Sequence, residues 1–285
     1  MVNNKITAFD WILAIFLGIF GITTLYPFLN MFFISISPMD EVVKSSGLML
    51  FPKEIQFDAY EYVFKFGGLM APLRNTLFIT ITGTALNIVM TCMGAYVIAE
   101  KEMPGRNFFM TMILITMFYG GGLIPGYLVN RALGLVDSIW VMIIPGAVGA
   151  WNLILLRYFF TSVPRSLKEA ARIDGASELT ILVRIMFPVS LPILATLTLF
   201  YAVGHWNVYM TAIIYISDQN LNPLQVAIRK MYEMSIMQVD DNTLPPPVET
   251  VRSATVILAT LPILMVYPFV QKYFVKGIIV GSLKG

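Results

Sequence analysis

Residues 166–188 read SLKEAARIDGASELTILVRIMFP, and the fold turns on how they are interpreted. Both flanks are apolar enough to dissolve in a bilayer, yet these few turns carry Lys168, Glu169, Arg172, Asp174, Glu178 and Arg184. Pro164, followed by Ser166 and Glu169 in the S-x-x-E spacing of a capping box, predicts a clean helix start. Gly175 tolerates a left-handed cap and predicts a stop or bend. The expected product is a pair of short helices over about 166–180, outside the bilayer, leading into an apolar span near Pro188. Ala170, Ala171 and Gly175 permit close backbone approach, as a helix docked in a partner's groove requires. Charges on the flanks would fix its orientation.

The rest of the chain sets the context. Of its 285 residues, 57% are hydrophobic and 13% charged, and mean hydropathy is +0.75, whereas soluble domains carry about 25% charged residues. This composition is that of an integral membrane protein, expected to be one all-α domain over residues 1–285. A net charge of +2 without a basic run gives no footing for nucleic acid. The lone Cys92 excludes a disulfide framework and a C-x-x-C metal site.

A bilayer core needs about 20 apolar helical residues, and six such runs are expected at about 11–36, 74–99, 108–129, 138–160, 187–214 and 253–275. The first is too long for a signal-peptide core and reads as a retained span. Gly120, Gly121, Gly122, Pro125 and Gly126 interrupt the third run, and Pro145 and Gly146 the fourth. Irregular backbone at membrane depth is tolerated where it lines a cavity or is covered by protein. With the N-terminus cytoplasmic, the inner segments hold Lys5, Lys101, Arg106, Arg157, Arg165, Lys168, Arg172, Arg184, Lys272, Lys276 and Lys284. The acids there are fewer, so the positive-inside rule places both termini and the charged stretch in the cytoplasm. Outside, residues 37–73 are expected to lie along the surface, and Pro245–Pro247 within 217–252 to form an extended excursion.

The spacing Glu169-Ala170-Ala171, three residues, Gly175, nine residues, Ile185, one residue, Phe187-Pro188 resembles the EAA motif of permease subunits in bacterial ATP-binding-cassette importers, E-A-A-x3-G-x9-I-x-L-P. Phe187 stands where the motif has leucine. NTLFITITGTALNIVMTCMGAYVIA (75–99) and FYAVGHWNVYMTAIIYISD (200–218) are similar to the carbohydrate-uptake, maltose-type branch. Residues 119–160 are similar to its oligosaccharide and polysaccharide-fragment subgroup. The resemblance implies six spans and coupling helices seated in an ATPase cleft, with Glu169, Ala170, Ala171 and Gly175 as contacts. It also implies a second permease, identical or different, two ATPase subunits that hold ATP and Mg, and an extracytoplasmic solute-binding protein delivering an oligosaccharide. No cofactor is expected in this chain.

The chain has no G-x-x-x-x-G-K-[ST] phosphate loop, so its energy source is another chain or an ion gradient. It has a single histidine and neither an H-E-x-x-H nor a nucleophile elbow, so no catalytic or metal site is expected. Polar groups at membrane depth are pathway candidates. These are His205, Trp206, Asn207 and Tyr209 in the fifth run, with Asn87 and Asn152 in the second and fourth. Helix-to-helix hydrogen bonding and an interfacial aromatic belt account for the same residues. Three alternatives stay open: an ion-coupled transporter or channel, an importer of a non-sugar solute, and a scaffold or sensor that transports nothing. Asp10, Asp137 and Asp218 all fall near expected span ends, which leaves the first without an evident ion relay.

Overall fold

The computed structural model describes residues 8–45, 47–65, 68–237 and 249–265, and their regular structure is entirely helical. The chain divides into two compact units, Met1–Leu69 with Ile228–Leu261, and Met70–Ala227 with Pro262–Gly285.

In the first unit, α1 (Ala8–Ser35) is uncharged after Asp10 and continues through Pro27. None of its apolar window is buried. Two short helices follow, α2 (Met39–Lys44) and α3 (Asp58–Lys65). The Asn30 side chain anchors this segment, donating to Gly47 O at 3.0 Å and accepting from Met49 N at 2.7 Å. Within the expected outer segment, Val42, Gly47 and Met49 fold back on the end of α1 against Asn30 and Ile34, and residues 70–73 already belong to a longer helix.

The second unit is built around α4 (Met70–Ala99), 30 residues long, followed by α5 (Arg106–Phe118), α6 (Leu123–Ala132) and α7 (Ala150–Ser162). Next come α8 (Arg165–Ile173), α9 (Glu178–Ile181), a π-helical turn Leu182–Met186 and α10 (Phe187–Val189). Then follow α11 (Leu191–Trp206) and α12 (Met210–Tyr215), with α13 (Leu224–Met237) beginning in this unit. The most extensive packing is that of α4 against α11 and α7. Cys92, Ala95, Tyr96 and Ala99 of α4 meet Leu153, Leu156 and Phe160 of α7 and Leu194 and Leu197 of α11 in one core. A second core, around Ile79, Val141, Ile143 and Ala212, packs nearer the start of α4.

Two helices among the described residues are long and apolar enough to cross a membrane, Phe9–Ser35 and Met70–Ala99. The third expected run is broken, with α5 and α6 meeting at 118° across the glycines noted at 120–122. The fourth, 138–160, is not one helix, because Ile139–Met142 is a single 3-10 turn and regular helix begins only at Ala150. Pro145 and Gly146 disfavour helix between them, and hydropathy reads depth rather than conformation. The fifth is bent by 88° between Glu178–Val189 and Leu191–Trp206, and breaks again at 207–209 before α12. The sixth is helical over 249–265, and its remainder lies outside the described residues, as does the Pro245–Pro247 excursion. Within 217–252 the structure adds a helix that the loop reading did not contain. It is α13, whose first N–H, at Leu224, is capped from another helix by Thr76 Oγ1 at 2.8 Å.

Candidate functional site

Two groups of side chains gather on α4, one at its C-terminal end and one midway. The first involves the charged stretch that opened the sequence reading. Helix α8 starts two residues earlier than the capping box required, with Pro164 rather than Ser166 as N-cap and no side-chain cap bond. The fixed φ of Pro164, at −55°, already leads the backbone into helix. It is α9 that is capped by a side chain, Ser177 Oγ accepting from Thr180 N. The expected stop at Gly175 is present, with φ at +79°, a left-handed backbone that an L side chain rarely adopts.

Two charges of α8, Lys168 and Arg172, turn toward the end of α4, while Arg165 and Glu169 stay exposed. Lys168 has a side chain only 6% exposed, and its Nζ lies 2.8 Å from Glu100 Oε2, just beyond the end of α4. One turn on, Arg172 lies 3.5 Å from the same oxygen and bonds Glu178 at 2.8 Å. Tyr96 donates its hydroxyl to Glu178 Oε2, and Lys168 lies over the Tyr96 ring at 5.7 Å. The hydrogen bond from Lys168 holds the Glu100 carboxyl below the usual carboxylate range. Arg172, then Tyr96, does the same for Glu178, and Glu178 in turn raises the Arg172 guanidinium. This circuit walls an apolar cavity of about 420 Å³ lined by Met93, Val97, Met103, Leu179 and Leu182.

The opposite face of α8 is left bare and apolar. Leu167, Ala170 and Ile173 follow one another at helical spacing, Leu167 at 44% and Ile173 at 87% exposure. Leu179 on α9 is 66% exposed. Glu169, Ala170 and Gly175 are exposed with them, whereas Ala171 turns partly into the chain's own core. An apolar stripe exposed opposite Lys168 and Arg172 reverses the usual amphipathicity of a surface helix.

Midway along α4, Asn87 donates to Gly146 O at 2.6 Å, and its Oδ1 lies 2.6 Å from His205 Nε2. Tyr201 shares a hydrogen bond with Thr91 at 2.8 Å and accepts from Gly149 N at 3.1 Å. The non-helical segment before α7 is thus tethered to α4 and α11. Of the pathway candidates, His205, Trp206 and Asn87 are buried. Asn207 is exposed, with Tyr209 and Asn152 half-buried. Asn207 bonds Gln225 at 3.3 Å, away from the His205 pair.

Residues 107–280, which take in α8, α9 and the bent span behind them, match the family described as the binding-protein-dependent transport system inner membrane component. The chain belongs to that family.

Among relatives of this inner membrane component, the polygalacturonan/rhamnogalacturonan transport system permease protein YtcP of Bacillus subtilis is 41% identical, over 97% of this chain and 98% of its own. Protein LplC of the same organism is 40% identical, over 97% and 95%. A solved bacterial ABC transporter involved in import of the acidic polysaccharide alginate contains a chain that is 34% identical, with a TM-score of 0.86 and coverage of 96% of this chain and 99% of that one. As a component of such a transport system, the chain is an ABC permease with the all-helical fold of its relatives, and its family is one of transporters, not enzymes.

Sequence reasoning about this inner membrane component missed the inward circuit and the Tyr201 tether. The i, i+4 spacings of Tyr96 with Glu100 and of Lys168 with Arg172 were the available signal. Their partners lie too far apart in sequence to be paired from it.

Proposed function

We propose that this chain is one of two permease subunits of an ATP-driven importer, a single transmembrane domain of six spans with both termini cytoplasmic. In this reading α8 and α9 seat in a separate ATPase subunit, where ATP and Mg are bound. The second permease completes the pathway, and an extracytoplasmic solute-binding protein delivers the solute. One observation carries the reading: α8 directs Lys168 and Arg172 to Glu100 and Glu178, and turns Leu167, Ala170 and Ile173 outward beside Glu169 and Gly175. An apolar, small-residue stripe on a charged helix suits a groove in another protein.

The solute we propose is an acidic oligosaccharide. Its support is the pair of relatives whose names carry polygalacturonan and alginate. Along the pathway, Asn207, exposed though bonded to Val203 and Gln225, and the half-buried Tyr209 and Asn152 would meet a sugar. His205, Trp206 and Asn87 would shape the path from behind.

The test is copurification with candidate ATPase subunits, followed by ATP hydrolysis in lipid, for wild type, Glu169→Lys and Gly175→Arg. Loss of assembly in both variants, with the chain still inserted, is the expected result. Variants that assemble and stimulate hydrolysis like wild type would return α8 to the status of a surface loop.

A further inference from the structure

The docking helices connect to the membrane part by three routes, and these differ in stiffness. The chain route backward passes Val163 and Pro164, which are extended rather than helical. The chain route forward passes the π-helical turn Leu182–Met186 and the 88° bend at Ser190, whose buried hydroxyl has no partner. A π-turn next to a sharp bend is a place where helices yield. The third route is through space, from α8 and α9 to the straight helix α4.

That third route is the circuit of Glu100, Lys168, Arg172, Glu178 and Tyr96. Two residues one turn apart at the end of α4 meet two residues one turn apart on α8, and Glu178 closes the loop from α9. Exposed ion pairs contribute little. Here the Lys168 side chain is 6% exposed and that of Glu100 25%, so breaking the pair strands a charge away from water. The linkage is therefore directional and hard to stretch.

We propose that this circuit fixes the docking helices to α4 so that they move as one body, and that it carries the ATPase stroke into the pathway. Lys168, Glu100 and Arg172 are then positioning residues, distinct from the outward surface that binds the ATPase. The proposal rests on the reading of α8 as the docking helix.

The experiment is performed on the reconstituted complex in lipid. Spin labels are placed at Asp174→Cys beyond α8 and Val89→Cys on α4, with Cys92→Ser removing the native thiol. In the otherwise wild-type chain, the label separation should be the same in nucleotide-free and vanadate-trapped states. Lys168→Met and the milder Glu100→Gln should match that separation without nucleotide, then depart from it on trapping by about 2 Å or more, the scale of helix shifts in switching proteins. Variants that stay nucleotide-independent, a separation that already changes in the wild-type background, or loss of ATPase binding in the variants would each overturn the proposal. A wild-type chain that binds no ATPase would instead overturn the docking reading on which it rests.

Discussion

Asn87 Oδ1 stands 2.6 Å from His205 Nε2, beside a glycine that makes the approach possible. A Cβ on Gly83 would lie 2.5 Å from that same His205 nitrogen. The α4–α11 contact is therefore as close as it is because one position carries no side chain.

Gly83→Ala should force His205 from its place and break the Asn87 bond. Overpacking of this kind costs about 1–3 kcal/mol. The check is a lowered unfolding temperature in detergent, larger than that of Gly18→Ala, where a Cβ meets nothing within 4 Å.

Asn87→Leu leaves both His205 Nε2 and Gly146 O without their partner. Measured interhelical hydrogen bonds in membranes are worth about 0.6 kcal/mol on average, and about 1.7 at most. A loss toward the upper end is expected here because two bonds go. Tyr201→Phe also removes two bonds, those of its hydroxyl with Thr91 and with Gly149 N, and should cost a similar amount.

Ile173→Asp should weaken ATPase binding without unfolding the chain, since the side chain is 87% exposed and contributes nothing to the core. Burying an isoleucine in a partner is worth about 1.5–3 kcal/mol, so Kd should rise by roughly tenfold or more. Titration of the ATPase onto immobilised vesicles reads it directly.

The pH dependence follows from carboxyls held below their usual range. Glu100 and Glu178 have folded pKa values depressed by Lys168 and Arg172 respectively. Their contribution is complete above the unfolded value of about 4.3 and is lost as pH falls through the lower folded values. Amide exchange of residues 165–181, corrected for intrinsic rate, should be unchanged from neutral pH down to about 5 and accelerate below about 4.3. Glu100→Gln should flatten that acid limb.

Some of this was legible in the sequence for a plain physical reason. A glycine stop after an amphipathic turn is a local matter, and Gly175 adopts the left-handed conformation its position implied. The helix start at Arg165 was misjudged by two residues because Ser166 and Pro164 both offer an N-cap, and the ring of Pro164 prevailed. Residues 138–149 were read as part of a helix since they are apolar, yet their backbone is held by Asn87 and Tyr201 from other helices. Such tethers bridge 59 and 52 residues of sequence, and no local pattern encodes them. The same distance hid the pairing of Lys168 with Glu100.

Helix α4 holds partners along its whole length. Asn75 and Thr76 grip the turn before α13, Asn87 the broken segment, Thr91 the Tyr201 hydroxyl of α11, and Glu100 the side chains of Lys168 and Arg172 on α8. Thirty residues of helix rise about 45 Å at about 1.5 Å each. Treated as a lever pivoting at its Glu100 end, such a rod converts a tilt of about 5° into a displacement of about 4 Å at Met70. A few degrees of tilt where α8 meets Glu100 are then felt as several ångström at the far end of the same helix.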